Sequence, residues 1–93
     1  MITAIVNINA AVDRIPEVAE AIAALAGVSE VYSVAGDVDL VAIVRVRHHE
    51  HLADVIAGRL NKVEGVLATQ TLIAFRAYSR HDLESTFSLG VEP

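Results

Sequence analysis

Apolar residues follow two kinds of spacing along this chain, and each spacing predicts a type of secondary structure. Alternating or nearly continuous apolar runs cover residues 2–8, 28–35, 40–47 and 66–76, as expected for β-strands. Apolar residues recur every three or four positions over residues 16–25 and again over about 50–61, as expected for amphipathic helices. The predicted order is therefore strand, helix, strand, strand, helix, strand.

This order predicts an α+β fold of the ferredoxin-like βαββαβ type. The two halves also echo each other, because each helix is followed by Gly-Val and then a strand, at Gly27-Val28 and at Gly65-Val66. Right-handed crossovers place both helices on one face of an antiparallel four-stranded sheet.

The other face of the predicted sheet is expected to be apolar as well. Both sides of the third and fourth strands are apolar near the middle, since Val41 and Ile43 lie opposite Leu40 and Val44, and Ala68 and Leu72 lie opposite Leu67 and Ile73. The hydrophobic share of the 93 residues is 54%, which is high for so short a chain. We therefore expect sheet-to-sheet dimerisation in the manner of a dimeric α/β barrel.

Charge and composition exclude several functions. The net charge is −5 without a basic cluster, so we expect no direct contact with nucleic acid. No apolar run approaches the roughly 20 residues of a membrane span, and there is no cysteine, which fits a cytoplasmic protein.

The sequence contains few motifs that are associated with catalysis or metal binding. No nucleophile motif or phosphate-cradling loop is present, so we predict no catalytic residues, no cofactor and no enzyme activity. The cluster His48-His49-Glu50-His51 carries metal-ligand types. Its members are adjacent at a predicted helix start and point in different directions, so we interpret it as a solvated loop and predict no metal.

The stretch from Val34 to Val46 carries the strongest functional signal. Gly36 and Asp37 suit a tight hairpin, and the apolar run that follows suits a central strand. A polar, glycine-containing turn thus lies at the end of a sheet that is covered on both faces.

With these elements placed, the chain resembles the effector-binding (RAM) domain of the leucine-responsive/AsnC regulators over residues 1–76. The segment Ala35-Gly36-Asp37-Val38-Asp39-Leu40 matches that family's Gly-x-x-Asp hairpin, and Gly65-Val66 with Thr69-Gln70-Thr71-Leu72-Ile73 matches the start of its last strand. The resemblance implies dimers that assemble into rings and bind amino acids or similar effectors between dimers.

The resemblance also suggests which residues line an effector pocket. Those candidates are Tyr32, Ala35, Gly36, Asp39, Thr69 and Thr71. A carboxylate and free backbone groups suit the ammonium and carboxylate of an amino acid. An alternative stays open, in which Asp39 fixes the turn by bonding to backbone and the threonines are simply favoured strand residues.

Domain organisation and partners follow as expectations. The first strand begins at residue 2, which leaves no room for the helix-turn-helix domain of the full-length regulators, so we expect a stand-alone domain over 1–76. A tail over 77–93, with a short helix at 82–88, follows it. Expected partners are a small effector, further copies of the chain and a full-length regulator.

Two other functions remain open from the sequence. A small monooxygenase-like enzyme of the dimeric α+β barrel type shares the fold, and Asn7 in the first strand is the residue that supports it. An ACT-type amino-acid-binding module has the same order of elements, although the Gly-x-x-Asp and Thr-x-Thr pair favours the first interpretation.

Overall fold

The computed structural model describes residues 1–80 of the chain. Within this range no helix has the length and apolar character needed to cross a bilayer. The main elements are β1 (Ile2–Ala10), α1 (Ile15–Ala23), β2 (Val28–Ser33), β3 (Leu40–Val46), α2 (His49–Ile56) and β4 (Val66–Ile73), with short 3-10 turns at Val12–Arg14 and Leu60–Lys62.

The four strands form one antiparallel sheet in the order β2-β3-β1-β4. This confirms the predicted βαββαβ, ferredoxin-like fold. Both helices pack on one face of the sheet, where alternate residues of β1 and β3 are buried. The buried core is wholly apolar and consists of Ala4, Val6, Ile8, Ala10, Val18, Ile22, Leu40, Ala42, Val44, Val46, Leu52, Val55 and Leu60.

The predicted internal repeat is visible in how each half packs on the other. Gly27, which follows α1, lies under α2, where an added Cβ would be 2.7 Å from Val55 Cγ2. Gly65, which follows α2, lies under α1, where an added Cβ would be 2.6 Å from Val18 Cγ2. The two glycines therefore allow each helix to approach the connection of the opposite half.

Several predicted boundaries were wrong, among them the end of the fourth strand, which stops at Ile73 and not at Arg76. The second helix ends at Ile56 and not near residue 61, because the chain turns at Ala57 and Gly58, whose N–H groups both donate to the Ala53 carbonyl. The 3-10 turn that follows carries Leu60 into the core, where it is fully buried. Leu60 therefore keeps the spacing of the helix's apolar residues although the helix ends before it.

The predicted tight hairpin at Gly36-Asp37 is a longer connection. β2 stops at Ser33 and β3 starts at Leu40, so residues 34–39 form the hairpin loop. The Val34 N–H donates to the Asp39 carbonyl at 3.1 Å and closes the base of this loop. The predicted helix at 82–88 lies outside the described residues.

Candidate functional site

The sheet face away from the helices, called the open face below, has an apolar centre. Ile5 lies between Ile43 of β3 and Leu72 of β4 in one row across the sheet. The next row places Tyr32 beside Val41 and continues through the polar residues Asn7 and Gln70, so the apolar centre is bordered by amides. Leu72 and Tyr32 are 46% and 50% exposed, and the other three apolar residues are half-buried. A patch of this composition is suited to a protein or ligand contact.

A polar network borders the apolar centre on the β2 side. The Tyr32 hydroxyl donates to Glu30 Oε2 at 2.5 Å, and Arg45 Nη1 lies 3.5 Å from Glu30 Oε1. The hydrogen bond from Tyr32 and the charge of Arg45 lower the pKa of the Glu30 carboxyl. The same hydrogen bond raises the pKa of the Tyr32 hydroxyl, since losing its proton would place two negative charges side by side.

Asp39 ties the hairpin loop to the end of β1. Its Oδ2 accepts a hydrogen bond of 2.9 Å from the N–H of Ala10, and its own N–H donates to the carbonyl of Ile8 at 3.0 Å. Ala10 is buried, so the carboxylate satisfies a donor that has little access to water. Asp39 therefore has a structural role, whatever else it binds.

Ala35 and Gly36 lie at the exposed tip of the same loop. Gly36 has a φ of +146°, and an added Cβ would have no atom within 4 Å. The loop tip therefore presents backbone groups into open space, with a conformation that favours glycine.

Thr69 and Thr71 lie on β4, on the helix side of the sheet. Their partners in β1 are the buried residues Ile8 and Val6, which fixes this orientation. Thr71 is exposed and Thr69 is half-buried, because the helices do not cover this edge strand. The Thr69 hydroxyl donates to Asn61 Oδ1 at 2.8 Å.

The structure brings some of the candidate residues together and separates others. Leu40, Ile8 and Thr69 form one row, so Thr69 lies two strand spacings, about 10 Å, from the base of the hairpin loop. Asp39 and Thr69 thus share one end of the sheet. Tyr32 faces the opposite side from the two threonines, so no single pocket within one protomer holds all six candidates.

The histidine cluster begins α2. The rings of His48 and His51 meet edge to face with centroids 5.3 Å apart. A depression of about 200 Å³ is lined by His51, Asp54 and Arg59 together with Val46 and Val55. Among residues 1–80, no three His, Cys, Asp or Glu side chains converge as metal ligands would.

Two polar contacts were missed by sequence reasoning. The sequence contains a signal for the hydrogen bond between Tyr32 and Glu30, because residues two apart on a strand lie on the same face. The irregular register between Val28 and Glu30 hides which face of the sheet that is. The hydrogen bond to Asn61 gave no signal, because the second helix was predicted to end near this residue.

Comparison with known proteins gives a consistent result. Residues 3–83 match the protein family described as the Lrp/AsnC ligand binding domain. An uncharacterized HTH-type transcriptional regulator of Pyrococcus horikoshii, PH1916, is 41% identical over 59 residues, which are 63% of this chain. The matched segment spans only 39% of that relative's own length.

Solved structures extend the likeness to the whole domain. TTHA0845 from Thermus thermophilus is 51% identical with a TM-score of 0.81, over 86% of this chain and 100% of that one. The hypothetical protein PHS023 from Pyrococcus horikoshii is 30% identical with a TM-score of 0.76, over 87% of this chain and 98% of that one. The regulator NMB0573 from Neisseria meningitidis, solved as a complex with L-Met, shares the fold at 14% identity, 85% and 53% coverage and a TM-score of 0.75.

Proposed function

This chain belongs to the Lrp/AsnC ligand-binding domain family, and from that premise we propose that it binds an amino acid or a related small effector between subunits of a homo-oligomer. We also propose that it acts as a stand-alone module. Support comes from its likeness to TTHA0845 and PHS023, whose solved chains are matched over 100% and 98% of their length.

The observation that carries the proposal is the apolar open face. Ile5, Val41 and Ile43 occupy its centre and are only half-buried within one protomer. A second copy that stacks on this face would bury the remaining exposed part of these side chains, which gives each about half of the roughly 1.5–3 kcal/mol for burying a fully exposed Ile or Val. The resulting dimer is the unit from which the family's effector sites would be assembled.

The hairpin loop is proposed as the ligand-binding end of each protomer. Ala35 and Gly36 offer exposed backbone N–H and carbonyl groups, and Asp39 offers a carboxylate at the base of the loop. Amino-acid ligands present one ammonium and one carboxylate, which such groups complement. The L-Met complex of the Neisseria meningitidis regulator, a protein of the same fold, supports an amino acid as the class of ligand.

Thr69, Thr71 and Tyr32 enter the proposed site only through assembly. The threonines and Tyr32 lie on opposite sides of the sheet, so a ligand that touches both sets must lie against more than one protomer. A ligand bound between subunits favours the assembly that forms its pocket, and in this way it changes the size or stability of the oligomer. We propose that a cytoplasmic full-length regulator or another protein responds to that change.

The test is thermal unfolding with each of the twenty amino acids, on the wild type, Asp39→Asn and Asp37→Asn. Asparagine retains an oxygen that accepts the Ala10 N–H but removes the charge. Asp37 lies exposed in the same loop and serves as the control. We expect one amino acid to raise the midpoint in wild type and Asp37→Asn but not in Asp39→Asn. If no amino acid raises the midpoint of the wild type, an amino acid is the wrong class of ligand. If the midpoint of Asp39→Asn rises as much as that of the wild type, Asp39 is not part of the site.

A further inference from the structure

The two edges of the sheet differ in how they are protected. The β2 edge carries Glu30 and an irregular register beside it, both of which discourage another strand from pairing there. The β4 edge has the sequence VLATQTLI, without a charge or a proline over eight residues. Its irregularity is confined to the start of the strand, opposite Asn9 and Ala10.

The backbone of β4 is poised to accept a further strand. The Ala74 N–H donates to the Thr3 carbonyl, so even-numbered residues of this segment bond to β1. In an antiparallel ladder the alternate residues then direct their N–H and carbonyl groups outward. These outward groups belong to Thr69, Thr71 and Ile73, and no other strand of the described part of the chain lies beside them.

From this edge we infer that two copies of the chain pair β4 against β4 in antiparallel fashion, about a two-fold axis at Gln70. The two four-stranded sheets then form one continuous sheet of eight strands. This contact uses the sheet edge, so it is distinct from the face-to-face contact under the proposed function.

The register is chosen by the side chains that it places opposite each other. With Gln70 facing its own copy, Thr69 lies opposite Thr71 of the second copy, and Ala68 lies opposite Leu72. Ile73 comes next to Leu67, which is 70% exposed in the protomer. Hydroxyl thus meets hydroxyl and apolar meets apolar, the pairings that stabilise neighbouring strands. A shift by one residue along each copy would place Thr69 against Ile73 and break this match.

A second copy of this chain suits the β4 edge better than a different protein does. A strand that lacks charge carries no electrostatic feature to select a different protein. Its own sequence, however, is nearly palindromic in character, with apolar residues at both ends and Thr-Gln-Thr in the centre. Isologous contacts need such self-complementarity.

Disulfide cross-linking tests the pairing. The chain has no cysteine, so the double variant T69C/T71C contains the only thiols. The proposed register places Cys at 69 and Cys at 71 of the second copy about 5.5 Å apart between Cα atoms, within the range of a disulfide. Each single variant is the matched control, because like positions are offset along the strands to about 8 Å, which is too far.

We expect a covalent dimer on a non-reducing gel for T69C/T71C and none for T69C or T71C alone. Absence of the dimer in the double variant, or equal cross-linking in a single one, would overturn the proposal. These positions lie on the helix side of the sheet, so a face-to-face dimer does not bring them together. The result is therefore independent of the proposed effector function.

A second pair of variants tests the same contact without cysteine. Thr71→Lys places a charge at the middle of the β4 edge, and Ser33→Lys places one on the opposite edge strand. We expect Thr71→Lys to halve the mass of the assembly measured by light scattering and Ser33→Lys to leave it unchanged. An unchanged mass for Thr71→Lys, with normal thermal unfolding of both variants, would contradict the pairing.

Discussion

Replacing Asp39 with alanine is expected to loosen the hairpin loop from β1. The variant loses the 2.9 Å hydrogen bond from Ala10 N–H to Oδ2 and leaves a donor on a residue that is only 3% exposed. A hydrogen bond to a charged group contributes about 1.5–3 kcal/mol, so we expect a loss of about 2 kcal/mol in the free energy of unfolding. For a domain of this size, that loss lowers the midpoint by about 10 °C.

Urea unfolding at one fixed protein concentration measures the effect, since self-association makes stability depend on concentration. Asp39→Asn keeps an acceptor for the Ala10 N–H and is expected to lose less than about 1 kcal/mol. Asp37→Ala, in the exposed part of the loop, is expected to change stability by less than about 0.5 kcal/mol. A stability of Asp39→Ala equal to that of Asp37→Ala would refute the structural role of the carboxylate.

Three further predictions address the open face, the polar network and the repeat. Ile43→Lys is expected to reduce the mass measured by sedimentation, because it charges the apolar centre, whereas Val12→Lys at an 86% exposed site is expected to leave the mass unchanged. The lowered pKa of Glu30 implies stability that is present above about pH 4.5 and lost as pH falls through the folded-state pKa, so Glu30→Gln is expected to flatten the acid limb of a stability profile measured by urea unfolding at several pH values. Gly65 and Gly36 both have a positive φ, so alanine is strained at either site by about 1–3 kcal/mol. Gly65→Ala is expected to cost at least about 1 kcal/mol more than Gly36→Ala in denaturant unfolding, since only its Cβ would meet a neighbour, Val18 Cγ2 at 2.6 Å. Equal costs for the two glycine variants would contradict the packing argument.

The fold could be predicted from the sequence because the hydrophobic spacing and the internal Gly-Val repeat indicate the same order of strands and helices. Alternation along β1 and β3 matches the buried face residue by residue, and the Gly-Val echo marks two connections that pack alike. The end of α2 was missed, because Leu60 keeps helical spacing although a 3-10 turn, and not the helix, carries it into the core.

The candidate site was harder to predict, because its contacts join residues distant in sequence. The bond between Asp39 and Ala10 spans 29 positions and depends on how the loop folds back over β1. Thr69 and Thr71 were placed correctly on one face, but the sequence does not reveal that this face is uncovered on β4. Whether the six candidates line one pocket stays a prediction, since any such pocket requires a second protomer.

The measurement that tests the central claim most directly is the mass of the assembly as a function of protein concentration, with and without the amino acid that raises the unfolding midpoint most. A ligand that binds between subunits must strengthen or redirect self-association, because binding and assembly are linked. We predict that saturating ligand shifts the association curve of the wild type and leaves that of Asp39→Asn unchanged. A ligand that binds the wild type without shifting this curve would place the site within one protomer and contradict the account.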